Sequence, residues 1–115
     1  MIAHVVLFRP KTGLTTEERQ TFVDALEQAL TKIDLIKRAT IGRRVTLGRS
    51  YDEMATDFPF AAILEFANEA DLRAYLDHPA HVSLGQQFYM TSEQALALDY
   101  ELLEGDWPRR LLAQS

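Results

Sequence analysis

Three stretches of this chain are apolar on both faces of an extended strand, and this limits the possible folds more than any other feature. They comprise residues 2–8, 60–66 and 95–103. Each stretch is short and rich in apolar residues, a pattern that predicts a β-strand. Because successive side chains of a strand point to opposite faces, a sheet made from these strands needs cover on both sides.

Helical patterns separate the strands and can cover one face of the sheet. Thr15 and Glu18 form a capping box, in which the threonine hydroxyl accepts an amide hydrogen bond and the glutamate returns one. Asn68 caps a second helix, and a third is expected from Pro79 to about Met90. The first helix carries a core-facing stripe at three- and four-residue spacing, formed by Phe22, Leu26, Ala29, Leu30 and Ile33.

The segment between the first helix and residue 60 is less apolar than the other strands. Residues 39–47 alternate apolar side chains with Thr, Arg and Gly, which predicts an exposed edge strand with a bulge at Gly42. Residues 48–59 are polar and contain breakers. They form either a mobile flap or an ordinary hairpin loop.

The predicted order of elements is βαββαβ, with the third helix directly after the second. Two right-handed β-α-β crossovers around a central hairpin give an α+β, ferredoxin-like fold, a four-stranded antiparallel sheet with helices on one face. The second apolar face then lacks cover. We therefore expect a homodimer in which two sheets pack face to face as a dimeric α+β barrel. Residues 1–103 would form this single domain and residues 104–115 a C-terminal tail.

The composition excludes several classes of partner. The net charge of −5, from 17 acidic and 12 basic residues, argues against nucleic acid or an anionic membrane, since both require a basic face. No stretch approaches membrane-spanning length, and the first residues do not form a signal peptide. The absence of cysteine excludes disulfides and thiolate chemistry and is compatible with a reducing compartment. We expect a cytoplasmic protein whose partners are small molecules or other proteins.

The residues best suited to chemistry lie in the segment 75–85, Tyr-Leu-Asp-His-Pro-Ala-His-Val-Ser-Leu-Gly. Pro79 disfavours helical geometry at His78 and favours a first helical turn, so one helix should stop near Leu76 and another begin at Pro79. His81 then lies in a first turn, where the helix dipole favours a neutral imidazole that can accept a proton. The pattern predicts a general base at His81, although an ordinary first-turn residue fits as well.

The other polar rings have structural interpretations too. Tyr75 can be a core aromatic at a helix end, and His78 can cap the third helix. His4 lies in an apolar strand, where it can be a hydrogen-bonded core residue that orients His81 or binds a ligand. The three histidines are poorly spaced for zinc and offer no distinctive haem ligation, so we expect neither a metal nor another cofactor.

These residues resemble the stress-responsive dimeric α+β barrel (Dabb) family. The resemblance covers about residues 1–103 and lies in the opening Ile-Ala-His-Val-Val-Leu-Phe, the strand at 58–66, the segment Tyr75-Leu-Asp-His-Pro-Ala-His81, and Asp99-Tyr100. Most members of the family are known as stress-induced proteins without an assigned reaction. A plant polyketide cyclase that makes olivetolic acid is similar in fold and in the segment 75–81.

The resemblance to that cyclase implies a cofactor-free aldol ring closure. Its catalytic Tyr matches Tyr75, its catalytic His matches His81, and its first-strand His matches His4, which we assign to substrate binding. An aldol step needs a base beside a carbonyl and a donor for the enolate oxygen, which an imidazole and a phenol can supply. Two functions stay open: a cofactor-free cyclase, lyase or isomerase of a small polyketide-like carbonyl compound, and a non-catalytic stress-associated domain that binds a small apolar ligand or a protein.

Overall fold

The computed structural model describes residues 1–54 and 57–114, without the side chain of residue 114. This part of the chain folds into four strands and four α-helices, with a short 3-10 turn at Ser50–Asp52. In chain order the elements are β1 (Ile2–Pro10), α1 (Thr16–Lys32), β2 (Arg38–Arg43), β3 (Phe60–Phe66), α2 (Glu69–Asp77), α3 (Pro79–Thr91), β4 (Ser92–Glu101) and α4 (Trp107–Gln114). Within the described residues, no helix is long and apolar enough to cross a membrane.

The four strands form one antiparallel sheet in the order β2-β3-β1-β4. This order and the two crossovers through α1 and through α2 with α3 are those of the ferredoxin-like fold. The expected architecture is confirmed. β1 lies at the centre, where His4 pairs with Leu64 on one side and with Asp99 on the other.

One face of the sheet packs against α1, α2 and α3 and forms the core. The α1 capping box is present, with the Thr15 hydroxyl accepting from Glu18 N–H at 3.0 Å and a Glu18 carboxylate oxygen accepting from Thr15 N–H at 3.0 Å. Ala29 of α1 and Phe66 of β3 are fully buried. The buried cluster consists of Ile2, Ala29, Ile33, Leu64, Phe66, Leu72, Tyr75 and Leu84.

The opposite face of the sheet carries apolar side chains that none of the helices in the described residues covers. The register places Val5, Ile63 and Leu98 side by side on this face. Ile63 is 39% exposed and Leu98 is 38% exposed, although both are central to their strands. The two-sided apolarity expected from the sequence therefore leaves an open sheet face in the single protomer.

Two strands differ in extent from the prediction. β2 ends at Arg43, and its pairing passes through Gly42 without a shift, so the predicted bulge there is wrong. The predicted continuation to residue 47 is also wrong, because the chain turns where the Asp52 carboxylate accepts the backbone N–H groups of residues 47–49. β4 begins at Ser92, three residues earlier than expected, since Ser92 directly caps the end of α3.

The predicted irregular connection 48–59 contains the 3-10 turn, and its residues 55 and 56 lie outside the described residues. The tail beyond the predicted domain contains α4, a helix that the sequence analysis did not predict. Pro108 occupies the first turn of α4, where its fixed φ and missing N–H are tolerated. Gly105 has a φ of +72°, a left-handed turn that redirects the chain between β4 and α4.

Candidate active site

A sharp corner between α2 and α3 positions the central residues of the site. His78 ends α2 through its backbone N–H, which donates to the Tyr75 carbonyl at 3.1 Å. The same residue begins α3, because its Nδ1 accepts the Ala80 N–H at 3.0 Å. The break expected before Pro79 and the capping role expected for His78 are both confirmed. One residue therefore sets the geometry between Tyr75 at the end of α2 and His81 at the start of α3.

Tyr75 is the largest side chain to be almost completely buried, at 1% exposure. Its ring packs against Phe66, with ring centroids 5.1 Å apart, and against His81 at 4.6 Å and His4 at 6.0 Å. Burial raises the pKa of the Tyr75 hydroxyl to about 12. The hydroxyl makes no hydrogen bond within residues 1–54 and 57–114. Because no fully buried polar side-chain atom in these residues lacks a partner, the hydroxyl oxygen is not completely enclosed. It is therefore a neutral donor whose hydrogen is not used by the described residues.

His81 is half-buried in the first turn of α3. Its Nδ1 lies 3.0 Å from the Leu76 carbonyl oxygen, which can only accept, so Nδ1 carries the hydrogen and Nε2 of the neutral ring is free to take a proton. Burial lowers the pKa of His81 below its ordinary value of 6.5, an effect that the Leu76 hydrogen bond opposes and nearby His4 reinforces. The imidazole is therefore neutral at physiological pH.

His4 and Asp99 form a short contact across strands β1 and β4. His4 Nδ1 lies 2.5 Å from a carboxylate oxygen of Asp99, its direct partner in the strand register. His4 is buried, whereas the Asp99 side chain is 49% exposed. The carboxylate orients the imidazole and leaves Nε2 as the second functional atom of the ring. Asp99 was noted in the sequence only as part of a motif, and the pairing register is what reveals its contact with His4.

Tyr75, His81 and His4 line one cavity of about 240 Å³ between the helices and the sheet. Its remaining walls are apolar and come from β1, β3, β4 and all three adjacent helices: Val6, Leu26, Ala62, Leu64, Leu76, Leu84, Phe88, Ala95 and Ala97. The three side chains that the sequence singled out therefore converge, as the enzyme hypothesis requires. A few polar groups in an otherwise apolar cavity are typical of small-molecule sites.

A second, larger cavity of about 640 Å³ lies at the other end of the same sheet face. It is lined mainly by apolar groups, including Phe60 and Ile41, with Lys11 and Arg19 among the lining residues. The Phe88 ring packs edge to face against Phe8 and Phe22, with ring centroids 5.0 Å apart in each pair. Leu26 lines both cavities. In the described residues, no three His, Asp or Glu side chains cluster as metal ligands would.

The family is settled by a match along nearly the whole chain. Residues 2–102 match the model of the stress-responsive A/B barrel domain, which covers every strand and the first three helices. The chain belongs to the Dabb family. The resemblance expected from residues 1–103 is thus confirmed, and α4 lies outside the Dabb match. No curated protein sequence matches the chain significantly.

Solved structures show the same Dabb architecture. A Dabb family protein of Mesorhizobium loti is 26% identical with a TM-score of 0.68, over 90% of this chain and 97% of that one. A dimeric ferredoxin-like protein of Bacteroides fragilis is 27% identical with a TM-score of 0.61, and the match covers 88% of this chain and 95% of that one. A hydroxynitrile lyase of Passiflora edulis is 20% identical with a TM-score of 0.74, and the match covers 90% of this chain and 94% of that one. At this identity, the likeness to the lyase shows a shared fold only.

Proposed function

We propose that this Dabb protein is a homodimeric, cofactor-independent enzyme that acts on a small carbonyl compound, as a cyclase, lyase or isomerase. The observation that carries the proposal is the convergence of Tyr75, His81 and His4 on one apolar cavity. Catalysis in this fold also has a precedent in the hydroxynitrile lyase. Fold alone assigns no reaction, and the three side chains are what support this one.

His81 is the general base of the proposed reaction. Its Nδ1–H is held by the Leu76 carbonyl, so Nε2 receives the proton that leaves the carbon beside the substrate carbonyl. The lowered pKa keeps the ring neutral and able to accept this proton at neutral pH. The proton makes the His81 ring positive, and this charge is balanced by the negative charge that develops on the substrate.

Tyr75 stabilises that negative charge. Its hydroxyl stays protonated because its pKa is raised to about 12, and it donates a hydrogen bond to the enolate oxygen. A donor that is already fixed by the packing of its ring needs little reorganisation as the charge develops, and this makes it effective. His4, oriented by Asp99, holds the substrate through its second ring nitrogen.

In the cyclase form of the reaction, the enolate carbon attacks a second carbonyl carbon of the same molecule. A carbon–carbon bond forms, the second carbonyl becomes an alkoxide, and the proton held on His81 returns to that oxygen. No electrons are gained or lost, so the reaction needs no redox partner. In the isomerase form, the proton returns to a different carbon, and the same two residues suffice.

The homodimer is part of the proposal because of the open sheet face. A second copy would cover Val5, Ile63 and Leu98 by face-to-face packing. The similar protein of Bacteroides fragilis is dimeric, which supports this arrangement. We also propose a cytoplasmic location, since the cysteine-free chain suits a reducing compartment.

Deuterium exchange tests the first chemical step without knowledge of the substrate. The purified protein is incubated in D₂O with a series of aryl and alkyl ketones that raise its melting temperature, and loss of the α-proton signals is followed by NMR. We expect exchange that the wild-type protein accelerates and that His81→Ala abolishes. Ketones that bind but exchange at the rate of the buffer would contradict the enzyme proposal.

The apolar cavity of about 640 Å³ supports a second candidate, a non-catalytic domain that binds a small apolar ligand. Its volume lies within the usual range of ligand sites, and its lining is mostly aliphatic and aromatic. In this case apolar compounds would stabilise the protein equally in wild type and His81→Ala, with no exchange catalysed by either. The same experiment therefore separates the two candidates.

A further inference from the structure

Within residues 1–54 and 57–114, the C-terminal helix α4 packs only weakly on its own protomer. Trp107 is 52% exposed and Leu111 is 54% exposed, although they lie four residues apart on one side of the helix. Among residues 1–54 and 57–114, no other helix or strand forms more than isolated contacts with α4. A helix of eight residues is marginal in water, where isolated helices need about 12–15 residues. Packing against a second protomer would therefore stabilise it.

A groove beside the edge strand β4 has the complementary character. It has a volume of about 200 Å³ and an apolar floor of Ile2, Leu72 and Leu76. Three carboxylates line it, and Arg73 is the one cation in its described lining. The carboxylates are those of Glu69, Asp99 and Glu101. The groove thus offers an apolar seat with a net negative rim.

The charge of α4 is opposite to that of the remaining chain. Arg109 and Arg110 give the helix a charge of +2, and it contains no acidic residue. The whole chain carries −5, so the remainder carries −7 once these two charges are subtracted. A cationic helix with a Trp and a Leu on one side matches an acidic groove with an apolar floor.

The linker between β4 and α4 is long enough to reach a second protomer. It comprises residues 102–106, and five extended residues span at most about 17 Å. Two sheets that pack face to face lie about 10 Å apart. Leu102 N–H still pairs with the Met1 carbonyl at 2.9 Å, so the linker begins directly at the edge strand β4. Gly105, with a φ of +72°, then turns the chain before α4.

We propose that α4 is an exchanged arm that docks in the acidic groove of a second copy of this chain. Trp107 and Leu111 would pack on the apolar floor, while Arg109 and Arg110 pair with Glu69 and Glu101. The docked arm would also cover the exposed edge of β4, which otherwise presents unpaired backbone groups. This inference depends on the proposed homodimer.

Trp107 is the single tryptophan of the chain, so its fluorescence reports on α4 alone. In the full-length dimer, whose mass is checked by light scattering, we expect a blue-shifted emission and weak quenching by acrylamide. Strong quenching in an intact dimer would refute the docking of α4 but would agree with the proposed homodimer. A monomeric mass would instead contradict the homodimer itself. A blue shift that appears only with anionic phosphatidylserine vesicles would assign α4 to a membrane surface and overturn the docking.

A charge exchange distinguishes docking on the partner from docking within the chain. One variant carries Glu69→Lys and Glu101→Lys, and the other carries Arg109→Glu and Arg110→Glu. Each variant alone should expose Trp107, because its arm and groove then have like charges in every copy. In co-expressed heterodimers, each arm meets a groove of opposite charge only on the other chain, so protection of Trp107 should return. No recovery, or protection in both single variants, would refute the proposed seat.

Discussion

Replacing Tyr75 by Phe removes a single oxygen atom from the centre of the candidate site. The ring contacts of Tyr75 with Phe66, His81 and His4, at centroid distances of 5.1, 4.6 and 6.0 Å, do not involve the hydroxyl. Within the described residues that hydroxyl has no hydrogen-bond partner to lose. The substitution therefore separates the chemistry of the phenol from the packing of the ring.

The expected magnitudes differ sharply for stability and for catalysis. With packing retained and no protein hydrogen bond broken, the free energy of unfolding should change by less than about 1 kcal/mol. Loss of a hydrogen-bond donor to a developing oxyanion typically lowers kcat by roughly 10²–10³-fold, or about 2.7–4 kcal/mol of transition-state stabilisation. Tyr75→Phe should thus nearly abolish turnover in a protein that unfolds like the wild type.

Two measurements on the same samples test this. Urea unfolding gives the free energy of unfolding, and NMR exchange of ketone α-protons gives the rate. Tyr89→Phe is the matched control, because Tyr89 is 86% exposed and the same substitution there should affect neither quantity. If Tyr75→Phe lowers stability by several kcal/mol and leaves the exchange rate unchanged, Tyr75 is a structural residue and the proposed donor role is refuted.

Further predictions concern the pair, the pH dependence, the corner and the dimer. The double variant His81→Ala with Tyr75→Phe should catalyse proton exchange scarcely more slowly than the poorer single variant, because residues that act as one unit have non-additive effects. Fully additive losses of the exchange rate would contradict a shared transition state. Burial lowers the pKa of His81 below 6.5, so the midpoint at which kcat/KM falls with decreasing pH should lie below pH 6.5; a midpoint at or above pH 7 would contradict a neutral base. The stability of the fold should change with pH in the same direction, since the unfolded chain binds the His81 proton more readily than the folded chain does. The His81 contribution to the free energy of unfolding is full above pH 6.5 and is lost as the pH falls through the folded-state pKa. Urea unfolding at pH 5 and pH 8 will show this difference. Pro79→Ala should loosen the helix break and change the 4.6 Å separation of the Tyr75 and His81 rings with little effect on stability; an unchanged separation in a crystal structure would show that the proline is not needed. Val5→Asp should place an unpaired carboxylate in the sheet interface and abolish dimerisation or folding; light scattering of an intact dimer would count against the face-to-face arrangement.

The fold was largely predictable because hydrophobic periodicity and capping residues act locally. The strand at 60–66 and the capped starts of α1 and α2 agree with the sequence pattern. The end of β2 was not predictable from periodicity, since the Asp52 carboxylate stops the strand from nine residues further along the chain. α4 was missed because its few apolar residues follow a polar stretch, and the helix forms only isolated contacts with the other described helices and strands.

The candidate site was only partly predictable. The segment 75–81 indicated Tyr75, His78 and His81, because the proline break is encoded next to them. The contact of His4 with Asp99 joins residues 95 positions apart and depends on the register of two strands. Alternation alone does not fix which residues face each other across a sheet.

The shared cap at His78 also determines where this chain can change in length. Each residue added to or removed from an α-helix rotates the following side chains by about 100°. A single insertion between Tyr75 and His81 would turn one ring away from the cavity, even if both helices formed normally. The connection from Arg44 to Pro59 is different, because its ends are held by a backbone hydrogen bond of 2.8 Å between these two residues. Natural or engineered length variants should therefore collect in that connection, while the corner at His78 keeps a constant number of residues.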